Sequence, residues 1–167
     1  MTYPMWSYFP RNGRPPAWAS SFVEVVKSAE GKISTIEHKT GLVSDAVLSN
    51  LSPGLVPLSY AVESGKTKQA KIHRPVLFGE NGTPSVNYEI DAFHDELGIA
   101  VEVEAGRGAA GNADYRDIVR TSLILDARYG RLQTHDQPPP QPCADSHLAM
   151  AIIPGPSCHI CLMRSRK

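Results

Sequence analysis

Residues 86–107, VNYEIDAFHDELGIAVEVEAGR, decide how the chain folds. Over Val86–His94 the residues alternate, with Val86, Tyr88, Ile90 and Ala92 on one face and Asn87, Glu89, Asp91 and Phe93 on the other. Over Ile99–Glu104, Val101 and Val103 share one face while Glu102 and Glu104 share the opposite one. A period of two marks a strand, because successive side chains leave a pleated backbone on opposite faces. Asp95-Glu96-Leu97-Gly98 reads as the hairpin loop between them, with Gly98 able to take the positive φ such loops often need.

If His94 pairs with Ile99, Asp91 lies opposite Glu102 and Glu89 lies opposite Glu104. Directly opposed Cβ atoms are about 4.5–5.5 Å apart, and like charges at that range destabilise a sheet. Four carboxylates so placed want protons or a divalent cation, and hard oxygen ligands suit Mg²⁺ or Mn²⁺. A register slip of one residue scatters the cluster. The same residues also fit a half-exposed hairpin with a solvated acidic outer face.

The rest of the chain frames this hairpin. At 167 residues the length suits one α/β domain, expected over residues 1–153, with an irregular basic tail over 154–167. Lysine plus arginine and aspartate plus glutamate number 17 each, so the formal net charge is zero and any nucleic-acid surface must be local. No apolar run approaches the roughly 20 residues of a membrane helix. The N-terminal MTYPMWSYFPRNGR lacks a basic start followed by an apolar segment, so a secretory signal is not expected and the cytoplasm is the expected location. Cys143, Cys158 and Cys161 cluster at one end, and their odd number is no disulfide framework. Cys158-His159-Ile160-Cys161 lacks the second ligand pair a zinc site requires.

Residues 1–15 read as an irregular arm. A helix is expected from Pro16, with Trp18, Phe22, Val25, Val26 and Ala29 on its inner face and Gly31 as its stop. Ser34 and Glu37 have capping-box spacing, so Glu37 is either a cap or an acid reaching the carboxylate patch. A second helix is expected over Leu42–Leu51, ended by Ser52-Pro53-Gly54. Leu55–Val62 and Ile72–Phe78 read as strands, each with a proline that argues for an edge. Gly79-Glu80-Asn81-Gly82 is a turn.

After the hairpin, Gly106, Gly108 and Gly111 have dinucleotide-loop spacing, but no acidic residue follows near position 130, and no Gly-Lys-Ser/Thr follows either. No nucleotide cofactor is therefore expected. Ala113–Tyr129 reads as a long helix ended by Gly130, on which Asn112, Arg116 and Arg120 form one stripe suited to phosphate oxygens. The alternative for the two arginines is pairing with Asp114 or Asp117. Lys66, Lys68, Lys71, His73 and Arg74 form either a local phosphate patch or a solvated loop. Residues 131–147 hold three consecutive prolines and read as a loop, and Leu148–Ile153 reads as a strand.

The order of these features resembles the PD-(D/E)XK superfamily, the restriction-endonuclease-like nucleases. Asp91 stands at that family's first acidic position, with Ile90 in place of the usual proline. Glu102-Val103-Glu104 stands at its second motif, with Glu104 where lysine is usual, a form found in a minority of restriction enzymes. The resemblance covers about residues 20–130 and implies a small mixed central sheet flanked by helices. Nothing beyond Pro154 reads as the family's last helix, so a core shortened at the C-terminus is expected.

The resemblance further implies Mg²⁺- or Mn²⁺-dependent hydrolysis of DNA phosphodiester bonds. Asp91 and Glu102 would hold the ion, with the Val103 carbonyl as a third ligand, and Glu104 would act on the attacking water. Glu37 or Glu24 would be the helix acid, and Arg107, Asn112, Arg116 and Arg120 would contact phosphates, joined by Lys66 and Lys68. Double-stranded DNA is the expected partner, and cutting both strands symmetrically would favour a homodimer. Two other readings are a nuclease-fold DNA-binding or assembly module without turnover, and an unrelated small α/β protein with an acidic hairpin.

Overall fold

The computed structural model describes residues 5–8, 13–34, 42–105, 113–135 and 148–154. A six-stranded sheet runs in the order β1 (Met5–Tyr8), β8 (Leu148–Pro154), β7 (Tyr129–His135), β6 (Ile99–Ala105), β5 (Ala92–His94), β2 (Ala61–Val62). It is mixed. β5 and β6 are antiparallel, whereas β6 and β7 are parallel and joined through helix α3 (Ala113–Leu123). A separate two-stranded sheet pairs β3 (Ile72–Phe78) with β4 (Pro84–Ile90).

Helices α1 (Ala17–Ile33) and α2 (Ser44–Leu55) cover one face of the large sheet. Phe22, Val26, Val47, Leu51 and Leu55 pack there with Ala92, Ile99, Val101 and Val103. The opposite face carries Phe93 and Ala100, covered by Val76 and Ile90 of the small sheet and by Ile124 and Ala127 beyond α3. The α/β architecture with a small mixed sheet and flanking helices is thus as expected.

Several boundaries differ from the sequence reading, each for a tertiary reason. α1 runs through Gly31 to Ile33, because fully burying Ile33 outweighs the roughly 1 kcal/mol a helical glycine costs. The Ser34 N–H then closes the helix on the Glu30 carbonyl, and Glu37 lies outside the described residues. α2 continues past Pro53 to Leu55 because Leu55 is fully buried. A Cβ on Gly54 would stand 2.6 Å from a Val25 methyl, so Gly54 is what lets α2 lie so close to α1. Leu55–Leu58 is therefore helical, and only Ala61–Val62 of the expected strand pairs with β5.

α3 stops at Leu123, well before Tyr129. Ile124 and Ala127 are instead buried in tight turns, and the N–H groups of Arg128 and Tyr129 both donate to the Gly98 carbonyl, at 2.7 and 3.0 Å. Gly130 and residues 131–135 belong to β7, and Met5–Tyr8 of the expected arm pairs in parallel with β8. The expected strands at Ile72–Phe78 and Leu148–Ile153 are present, the latter reaching Pro154.

Candidate functional site

The β5–β6 hairpin keeps the expected register, His94 opposite Ile99 and Ala92 opposite Val101. Gly98 closes the loop at φ 64°. The strand expected over Val86–His94, however, is broken at Asp91. Before the break, β4 pairs with β3 and faces the small sheet; after it, β5 joins the large one.

Asp91 holds the junction through both its backbone and its side chain. Its carbonyl accepts from the Glu63 N–H at 2.8 Å, just beyond β2. Its carboxylate Oδ2 accepts from the Val103 N–H at 2.6 Å. Val103 is buried in the core, and its amide lies where a continued β5 would have supplied a carbonyl. The aspartate thus replaces a ladder bond lost when β4 turns away. Because a strand residue directs its N–H and C=O to the same side, the Val103 carbonyl also faces this flank.

Alternation fixes the face. Ile99, Val101 and Val103 belong to the core under α1 and α2, so Glu102 projects to the side of Ala100. Ala92 belongs to the first core, whereas Ile90 and Phe93 both belong to the second, so the alternation does not run through Asp91, whose carboxylate turns to the Val103 amide. Asp91 and Glu102 are both partly buried. Glu104 lies further along β6, and its side chain is outside the described residues.

Glu89 is not part of this pair, a departure from the expected four-carboxylate patch. Its register partner is His73 on β3, and its carboxylate accepts from the Lys71 ammonium at 2.7 Å. The same ammonium lies 3.7 Å from Glu63, whose side chain is only 13% exposed. The hydrogen bond to Glu89 is the main cause that raises the Lys71 pKa, with the Glu63, Glu89 and Asp91 charges adding to it against the cost of burial. The Lys71 contact likewise holds the Glu89 carboxyl below its ordinary range.

The basic residues divide among different roles. Arg74 donates to Asp95 at 2.6 Å and sits 4.0 Å over the Phe93 ring, so it braces the hairpin. Lys66 pairs with Asp45 at 3.0 Å beside an open cleft between α2 and the turn after β2. Lys68 is exposed, and its carbonyl accepts from the His73 ring at 3.3 Å. On α3, Asp117 is buried at 5% exposure, with Arg116 and Arg120 at 3.4 and 3.9 Å from it. Pairing with Asp117 therefore holds, yet both guanidinium groups remain about half exposed. Arg120 also lies 5.7 Å over the Tyr88 ring, which ties α3 to β4. Arg107 and Asn112 lie outside the described residues.

Glu63 was not legible as a site residue. It follows a two-residue strand, and no spacing motif links it to Asp91 or Lys71.

Among the described residues, no three of His, Cys, Asp or Glu come together as a metal-binding group. Where the β5–β6 ladder ends, the oxygen groups at hand are the Asp91 carboxylate, which already accepts from the Val103 N–H, and, on β6, Glu102 and the Val103 carbonyl. That hard oxygen set fits Mg²⁺, which is commonly held by one or two carboxylates and otherwise keeps its waters. Among the described residues no helix is long and apolar enough to cross a membrane. Compared with known proteins, the chain matches no family model, no curated protein and no solved structure.

Proposed function

We propose that the chain is a Mg²⁺-dependent DNA endonuclease with a restriction-endonuclease-like core. The observation that carries this reading is that Asp91, at the break before β5, is held to β6 by the Val103 N–H, one residue beyond Glu102 on that strand. The parallel β6–α3–β7 unit behind it supports the reading, since it leaves Arg116 and Arg120 half exposed on a helix that follows the acidic strand.

In this reading Asp91, Glu102 and the Val103 carbonyl hold the cation, which when bound supplies a Lewis acid for the scissile phosphate and a more acidic water. Glu104 takes the proton of the attacking water. Arg116 and Arg120 use their outward N–H groups on flanking phosphates, while Asp117 fixes them from beneath. The test is cleavage of supercoiled plasmid in Mg²⁺ and in Mn²⁺ by the wild type, Asp91→Asn and Glu102→Gln. Loss of cleavage in both variants is expected; equal activity in all three removes the site assignment.

A second reading has its own observation. The Asp91 carboxylate already satisfies a backbone amide, and Glu89 is taken by Lys71. A DNA-binding module without turnover would use the same arginines and leave the carboxylates structural. DNA retardation without cleavage in either metal selects it.

A further inference from the structure

The outer face of α3 is not the polar face that a surface helix ordinarily turns to water. Asp117, Ile118 and Thr121 are its buried side, and Ile124 continues that side just beyond the helix. Arg116, Val119, Arg120 and Leu123 recur at helical spacing, so they share the opposite face. Val119 and Leu123 are 47% and 48% exposed, and both guanidinium groups are about half exposed. The two arginines share one carboxylate, Asp117, which leaves the face a net positive charge. Arg120 lies over the Tyr88 ring, so the arginines form the edge nearer β4. Glu89, whose carboxyl also feels Arg120, is held by Lys71.

We propose that this face enters the major groove of double-stranded DNA, with Arg116 and Arg120 on phosphates and Val119 and Leu123 against thymine methyl groups. The proposal rests on the DNA reading above and names what α3 reads in that DNA. An α-helix with its side chains is about 10–12 Å across, and the groove is about 12 Å wide. The C5-methyl of thymine is the apolar group the bases present there. An aliphatic side chain seated on it takes both from water, whereas phosphate contacts carry no sequence information. The arginines thus fix α3 on the backbone, and the aliphatic pair favours sites that contain thymine. A membrane surface fits this face less well, because two short aliphatic side chains offer little apolar area to bury in lipid.

The test is fluorescence anisotropy of the full chain with an A·T-rich duplex and with the same duplex carrying deoxyuridine in place of thymidine. Low salt and EDTA keep the readout to affinity, independently of cleavage. Burying one methyl is worth about fourfold, so the wild type is expected to bind the thymidine duplex about tenfold more tightly. The double variant Val119→Ser, Leu123→Ser is expected to bind the two duplexes within about twofold of each other. Arg116→Ala is expected to weaken binding to both by the same factor. Circular dichroism checks folding, and Leu123→Ser alone, expected to keep about fourfold discrimination, supplies the comparison if the double variant does not fold. Equal affinity of the wild type for the two duplexes overturns the methyl contact while DNA binding stands. Undiminished discrimination in the double variant also overturns it. No binding to either duplex, with binding to phosphatidylserine vesicles or without it, overturns the DNA reading and this proposal together.

Discussion

Gly98 offers the sharpest test of how the hairpin is fixed to the rest of the sheet. Its φ of 64° lies in the left-handed region, where a side chain costs about 1–2 kcal/mol. A Cβ placed there would stand 2.6 Å from the Asp126 carbonyl oxygen and 3.1 Å from the Arg128 amide nitrogen. Both are backbone atoms, so no rotamer change relieves the clash. The N–H groups of Arg128 and Tyr129 donate two hydrogen bonds to the Gly98 carbonyl, which aligns the start of β7 with β6. Overpacking of this kind costs about 1–3 kcal/mol. Gly98→Ala is therefore expected to lose about 2–5 kcal/mol, read as a lower urea midpoint with unchanged slope. In a chain of this length that corresponds to a melting temperature about 7–14 °C lower for the middle of the range. Gly31→Ala is the paired control: nothing lies within 4 Å of its Cβ position, and it sits inside α1. It should gain about 0.5–1 kcal/mol. If Gly98→Ala loses less than about 1 kcal/mol, the close approach of the hairpin loop to residues 126–128 is refuted.

Further outcomes follow from the same contacts. Asp91→Ala should lose about 1–3 kcal/mol because the buried Val103 amide loses its acceptor, whereas Asp91→Asn, which keeps an oxygen, should lose less; equal losses in urea unfolding argue against the cap. Phe93→Ala should cost about 3–5 kcal/mol, since the fully buried ring also carries Arg74, and an effect under about 1 kcal/mol contradicts the second core. The Lys71–Glu89 pair sets a pH dependence. Glu89 titrates lower than its ordinary 4.5, so its contribution is present above that value and is lost as pH falls through the lower folded value. Lys71 titrates above its ordinary 10.5, so its contribution is present below that value and is lost as pH rises through the folded value. Glu89 is 53% exposed, so the pair contributes at most about 1 kcal/mol, and the difference in unfolding free energy between wild type and Lys71→Met should vanish at both extremes. Arg116→Ala and Arg120→Ala should each flatten the salt dependence of DNA retardation by about 0.9 in log–log slope, without favouring any sequence.

What was legible in the residues is the part governed by local chemistry. The loop Asp95–Gly98 has its own glycine for a positive φ, and the flanking apolar rows fix the register of His94 on Ile99. Helices α1 and α2 follow their apolar spacing, and only their ends were moved by Ile33 and Leu55. The break at Asp91 was not legible, because apolar and polar residues alternate without interruption from Val86 to Ala92. What bends the chain is tertiary: β3 captures β4, and both Ile90 and Phe93 are buried in the second core. Phe93 was the available signal, an apolar residue in the same row as Glu89 and Asp91 on a face read as open to solvent. At α3 the run Leu123-Ile124-Leu125 fits a helix as readily as a turn with one buried residue, and the Gly98 carbonyl decides between them.

The break also explains how the chain avoids setting four carboxylates against one another across a ladder. Had β4 continued the ladder, Glu89 and Asp91 would have faced Glu104 and Glu102 at about 5 Å, an arrangement that opposes its own folding. Turning β4 away removes Glu89 to Lys71 and leaves Val103 with an amide to satisfy. Only an acceptor side chain at position 91 can do so while the backbone of the same residue is held by Glu63. The acid at Asp91 thus serves as the acceptor that ends the ladder. This is why the cleavage test uses asparagine at position 91: alanine would lower activity through stability alone, whereas asparagine keeps an acceptor for Val103 and removes the charge.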